Sequence, residues 1–233
     1  CGDVGYGKTE IAIRAAFKAV MDGKQVALLA PTTILSEQHY LTFKERLKKF
    51  PVRIAVINRF KSTQEQRQII DGVKNNEIDI LIGTHRLIQK DIHFHDLGLV
   101  IIDEEQRFGV MHKERLKKMK STVDVLTLTA TPIPRTLYLS LTGIRDISVI
   151  ETPPEGRKPV HTVVAPRNQK MIKEAIQHEL ERKGQVFYVC PRIKSLKKIY
   201  DELVLLFPNY QIGIAHGRLS GPDLEEVMEK FYN

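Results

Sequence analysis

Tryptophan is missing from this 233-residue chain, and cysteine occurs only twice, at Cys1 and Cys190. Two cysteines build neither a disulfide framework nor a four-ligand metal cluster, which excludes the small secreted scaffold and the zinc module. Such cysteine usage suits a reducing, cytoplasmic setting. His93 and His95 stand one residue apart, yet no further Cys or His spacing completes a metal site around them. Long apolar runs are also lacking, and none nears the ~20 residues that a bilayer-spanning helix needs. Hydrophobic residues still make up 42% of the chain, enough to exclude a disordered polyelectrolyte and to build one large domain or two modest ones. Lys and Arg number 36 against 28 Asp and Glu, so the net charge of +8 permits a polyanionic partner without requiring one.

Against this background the opening residues are informative. Gly2-Asp3-Val4-Gly5-Tyr6-Gly7-Lys8-Thr9 fits G-x-x-x-x-G-K-[ST], the phosphate-binding loop. Its glycines let successive backbone N–H groups face one anion, and the helix predicted over 9–21 adds the partial positive charge of its N-terminus. Lys8 reaches the β- and γ-phosphates in such a loop, and the Thr9 hydroxyl ligates magnesium. Glu10 opens the helix beside them. A nucleotide with Mg²⁺ is therefore the expected ligand.

Helices and strands alternate along the rest of the chain. Short apolar runs at 25–30, 53–57, 79–84, 99–103 and 123–130 read as buried parallel strands, with helices over about 34–49 and from Ser62 to about Lys74. Ser62 and Glu65 fit a capping box. Such alternation predicts an α/β fold with a doubly wound parallel sheet flanked by helices. At 151–159, ETPPEGRKP places three prolines and a glycine in nine residues, a linker signal. The expected division is a first lobe at 1–150 and a second at 151–233. In the second, HTVVA, QVFYVC and QIGIAH predict strands between helices over about 168–182, 195–206 and from 222. One continuous domain with a proline-rich surface loop is the alternative.

A phosphate loop needs an acid at the end of another strand, and LVIIDEEQ supplies it. Asp103 would hold Mg²⁺ through water, and Glu104 is placed to orient and deprotonate an attacking water. TLTATPIPRT ends another strand in Thr129-Ala130-Thr131, with Pro132 and Pro134 fixing the backbone beyond. Pro31-Thr32-Thr33 and Gly83-Thr84-His85-Arg86 follow two further strands. Ligands gather at the carboxyl ends of strands in such sheets, and threonine hydroxyls suit phosphodiester oxygens. Thr33 reads equally well as a helix N-cap.

In this order the phosphate loop, PTT, GTHR, DEEQ and TATP resemble motifs I, Ia, Ib, II and III of superfamily 2 helicases and translocases. DEEQRFGVMHKERLK, TATPIPRTL and GIRDISVIETPPE resemble more closely the translocase module of the bacterial transcription-repair coupling factors, the Mfd family; RecG is the near neighbour, in whose relatives DEQHRFG stands where this chain has DEEQRFG. QVFYVCPRIKS and AHGRLS extend the likeness as motifs IV and IVa. The resemblance implies two RecA-like lobes with parallel sheets, the second incomplete. It implies ATP hydrolysis by Lys8, Thr9, Asp103 and Glu104, with the residues from Gly2 to Glu10 around the nucleotide. Thr32, Thr33, Thr84, His85, Arg86, Arg192 and His216 would follow a double-stranded DNA backbone, and Gln106 and Thr129–Thr131 would link the two sites. Nucleotide-driven opening and closing of the lobes would move the protein along DNA and displace stalled RNA polymerase, with the repair protein UvrA engaged through domains outside this chain. A RecG-like branch-migration helicase and a nucleotide-switched DNA-binding module without turnover stay open as alternatives.

The first residue is Cys rather than Met, and by the family pattern the strand before the loop, motifs V and VI and the arginine finger stand outside the sequence. The chain therefore reads as a portion of something longer. Because an arginine finger contributes ~10³–10⁵ in turnover, the chain alone is expected to hydrolyse ATP very poorly even with duplex DNA. A steady-state phosphate-release assay checks this, and robust DNA-stimulated turnover contradicts it.

Overall fold

The computed structural model describes residues 1–105, 108, 123–130, 146–157 and 160–232. It divides into two compact units, Cys1–Pro159 and Val160–Asn233. The first unit runs α1 (Lys8–Met21), β1 (Gln25–Leu29), α2 (Thr33–Leu47), β2 (Ile54–Ile57), α3 (Thr63–Lys74), β3 (Ile80–Gly83), a 3-10 turn at His85–Ile88, β4 (Leu97–Asp103) and β5 (Asp124–Leu128). Among the described residues the sheet has five strands in the order β2-β3-β1-β4-β5, every neighbouring pair parallel. Cys1 and Gly2 lie beyond β5: the Gly2 amide donates to the Thr129 carbonyl at 3.2 Å, and the Ile150 amide donates to the Cys1 carbonyl at 2.7 Å.

Parallel strands joined by helical crossovers must bury both faces, and the side-chain period of two divides each strand between two cores. On one face Val26 and Leu28 join Ile80, Ile82, Leu99 and Ile101 beneath Ala12, Ile13 and Ala16 of α1 and Phe43 and Leu47 of α2. On the other, Ala27 and Leu29 join Leu81, Val100 and Ile102 with Val73 of α3 and Leu87 and Ile88 of the turn. Helix boundaries follow their local signals. α1 ends in a Schellman arrangement, with Gly23 N–H donating to Val20 O and Lys24 N–H to Ala19 O. α3 begins with both bonds of the Ser62–Glu65 capping box. The cap of α2 falls on Thr32, whose hydroxyl accepts from the Leu35 amide, so Thr33 is the first helical residue instead of the cap.

The second unit carries α4 (Gln169–Glu181), α5 (Leu196–Leu206) and α6 (Gly221–Tyr232). Among its described residues no strand forms, although 185–190 and 211–216 have the apolar pattern of strands. Pattern alone does not make a strand, because each backbone needs a laddered neighbour. Without one, Val164 is 95% and Val189 87% exposed. No helix among the described residues is long and apolar enough to cross a membrane.

The start of β1 is pinned by a buried amide. Gln25 Nε2 donates to the carbonyls of Val73 and Ile78, both at 2.8 Å, while its Oε1 accepts from the amides of His95 and Asp96. Gln25→Leu leaves the Ile78 carbonyl and the His95 and Asp96 amides without this partner, while Val73 O keeps the Asn76 amide. It should cost about 2–4 kcal/mol, read from the urea midpoint; a loss under ~0.5 kcal/mol contradicts this account.

Candidate functional site

Parallel pairing sets the carboxyl ends of the strands at one edge of the sheet: Leu29 lies in register with Gly83 and Ile102, and Asp103 with Leu128. The phosphate loop enters this edge through the Gly2–Thr129 bond. Gly5 and Gly7 have φ of 78° and 83°, left-handed backbone that side chains adopt only at a cost. Gly7 is the N-cap of α1 and offers no side chain to it, so the helix start is open to an anion. Lys8 Nζ donates to the carbonyls of Gly2 at 2.8 Å and Asp3 at 3.0 Å, folding the loop upon its own cation. A phosphate is a better partner than a neutral carbonyl, so a ligand can draw the ammonium outward.

Asp103 ends β4 and accepts from His39 Nε2 of α2 at 2.9 Å. The next residue, Glu104, has φ 52°, the left-handed region in a residue other than glycine. Two bonds hold it there: its amide donates to Leu128 O at 3.0 Å, and its Oε1 accepts from the Ala130 amide at 3.4 Å. Strain kept in place by neighbouring bonds is common at reactive sites. The acidic pair and the Thr129 strand end are thus joined directly. Gln106 and Thr131 lie outside the described residues, as do Pro132 and Pro134.

Several residues expected along DNA have partners of their own. Arg86 makes a bidentate pair with Asp91, at 2.7 and 2.6 Å, and donates from Nε to Gln66 at 2.9 Å. Its guanidinium holds the Asp91 carboxyl below its ordinary value. Thr32 is spent on the α2 cap but stays exposed, and Thr33 is half-buried. Thr84 precedes the 3-10 turn, and the His85 ring lies 5.2 Å from that of Phe108. Gly83 must be glycine for space, since a Cβ there would sit 2.6 Å from the Ile57 carbonyl. In the second unit Arg192 is exposed, and His216 has its Nδ1 buried with no hydrogen-bond partner among the described residues.

Two contacts escaped the sequence reading. Arg157, from the proline-rich stretch, lies 4.7 Å over the Tyr6 ring and 3.6 Å from the Asp3 carboxylate, covering the outer side of the phosphate loop. His39 looks in sequence like any helical histidine. Glu10 turns from the loop instead: its carboxylate accepts from Arg14 and from two nitrogens of Arg46, tying α1 to α2.

Among the described residues no three His, Cys, Asp or Glu side chains gather as a metal site. A magnesium held by one hydroxyl, one carboxylate and nucleotide phosphates needs no such group. Asp103 and Thr9, beside an uncapped helix start, suit that mode.

A family model described as DEAD/DEAH box helicase matches residues 1–139. The chain belongs to the DEAD/DEAH box helicase family. It is 60% identical over all 233 residues to a protein named Transcription-repair-coupling factor from Staphylococcus haemolyticus and 58% identical to the one from Staphylococcus aureus strain USA300. It spans about a fifth of the length of these curated relatives, covering 20% of each. A solved structure of RecG bound to a three-way DNA junction is 39% identical, with a TM-score of 0.75 over 99% of this chain and 31% of that one. Dbp5 of S. cerevisiae, bound to RNA and ADP BeF3, shares the fold at 15% identity and a TM-score of 0.67, covering 99% of this chain and 62% of that one. The resemblance read from DEEQRFG and TATPIPRTL thus stands, and this DEAD/DEAH box chain is similar to the coupling factors over its whole length.

The Glu10 network gives a pH test. Hydrogen bonds from Arg46 and then Arg14 lower the Glu10 carboxyl from 4.5 to about 2. A carboxyl lowered on folding stabilises above its unfolded value, and that contribution fades as pH falls toward the folded one. Glu10→Gln should lower Tm by about 1–3 °C at pH 7, as an exposed network allows. The difference from wild type should vanish between pH 4.5 and about 2; an unchanged gap in a thermal-melt series argues against the network.

Proposed function

We propose that the chain is part of an ATP-driven double-stranded DNA translocase of the transcription-repair-coupling kind. The observation carrying this reading is the bonded edge at which the loop of Lys8, the Asp103–Glu104 pair and the Thr129 strand end meet. Full-length similarity to the coupling factors, higher than that to RecG, favours this reading over branch migration. The finer parts extend it. Residues 1–150 would form an ATP-binding RecA-like lobe and 151–233 the beginning of a second. RNA polymerase and UvrA would be engaged by segments outside this chain, in the cytoplasm.

The chain's own residues have separable tasks. Lys8 would leave the Gly2 and Asp3 carbonyls to neutralise the phosphates, while the open start of α1 receives their oxygens. Thr9 and Asp103 would hold magnesium, whose charge lowers the cost of the developing phosphate charge. Glu104, fixed by Leu128 and Ala130, would orient the attacking water and take its proton. Thr32, Thr33, Thr84 and His85 would meet the phosphodiester backbone, which carries no sequence information.

Lys8→Ala should abolish nucleotide binding measured by fluorescence titration. Glu104→Gln should bind as wild type yet lose turnover by at least ~10²-fold, because an amide takes no proton. That assay needs the chain placed in its longer context, for instance replacing the matching fifth of the S. haemolyticus protein. Linear duplex DNA should stimulate ATP turnover there; binding of ATP with no response to DNA would overturn the motor reading in favour of a nucleotide-switched module.

A further inference from the structure

Asp103 has a buried side-chain partner across the fold, His39, and phosphate chemistry alone does not call for that partner. His39 and Asp103 have side chains only 8% and 14% exposed. A carboxylate only accepts, so the proton between them is on His39 Nε2. The ring is packed edge-on against Phe43, with centroids 6.5 Å apart and planes at 86°. The helix beneath it is pinned as well: one turn earlier, the fully buried Ser36 accepts from Asn58 Nδ2 at 3.1 Å, and Asn58 also donates to Glu37 at 2.8 Å. His39 thus approaches from a rigid support. Its bond takes Oδ2 of Asp103, while among the described residues Oδ1 accepts no hydrogen bond.

We propose that His39 is a positioning residue for the nucleotide-bound metal, locking the Asp103 rotamer that leaves Oδ1 to the hydrated magnesium. The inference rests on the nucleotide-site reading above and adds to it a residue of α2 remote from the loop. Carboxylates that serve a metal are usually fixed by a second hydrogen bond, and losing that bond typically costs 10–100-fold in metal affinity or activity. The same contact connects the metal site to the helix that Thr32 caps and Thr33 begins. A change in the Asp103 carboxylate is therefore felt on the helix expected to meet DNA.

The test titrates magnesium chloride into the 233-residue chain with a fluorescent N-methylanthraniloyl-ADP. His39→Leu keeps bulk without a donor and should raise the magnesium concentration at half-effect by ~10-fold or more, with metal-free affinity unchanged. His39→Gln returns an N–H at similar reach and should restore the response to within about threefold. Asp103→Asn serves as the control for loss of the metal response. Should His39→Leu not fold, His39→Asn, too short to reach Asp103, takes its place against His39→Gln. Wild-type magnesium dependence in the donor-less variant, beside a lost response in Asp103→Asn, overturns the positioning role alone. Equal losses in His39→Gln and His39→Leu assign the residue to packing, and also overturn it. No magnesium-dependent binding in wild type overturns the nucleotide-site reading, and this inference with it.

Discussion

The register of β4 against β5 is the constraint on which the site depends. Asp103 stands opposite Leu128, so the acidic pair and the threonine strand end leave the sheet side by side. From there the Glu104 amide closes on Leu128 O, and Ala130 closes on the Glu104 carboxylate. A slip of one residue would turn Asp103 to the opposite face. It would also break the bonds that hold Glu104 in left-handed backbone. The slip is opposed by both cores at once, since Val100 and Ile102 face one and Leu99 and Ile101 the other. Apolar packing with no chemistry of its own thus sets the placement of the reactive carboxylates.

The five strands and their flanking helices were legible because strands buried on both faces leave unbroken apolar runs, and because caps such as Ser62–Glu65 are local. The phosphate loop and DEEQ were legible as patterns for the same reason, each being a few consecutive residues with one task. What escaped was side-chain partnership across the fold. His39 and Asp103 are 64 residues apart, and nothing in SEQHYL announces the pairing. Arg157 sat in a stretch read as linker, yet it lies over Tyr6. Glu10 was grouped with the nucleotide by adjacency, although its carboxylate belongs to Arg14 and Arg46. Arg86 shows the same limit, since its motif suggests a phosphate contact while its guanidinium is paired with Asp91.

The second unit marks another limit. Its helices formed where their period placed them, because a helix closes its own backbone bonds. The apolar segments between them carry a strand's composition and no ladder, since a strand's bonds belong to its neighbours. Local signals therefore carried the helices, and sheet formation depended on context.

Gly2 carries a last consequence. A Cβ added there would meet Ile150 Cβ at 3.1 Å, while its amide is already committed to Thr129. The first glycine of the loop is small because the segment around Ile150 lies against it, whatever the nucleotide asks. Loop glycines are commonly treated as interchangeable reporters of phosphate contact. At this position a substituent presses on Ile150, so a defect there begins in packing at the sheet margin, whereas Gly7 has open space around it and left-handed backbone, so a defect there begins in strain of the loop itself.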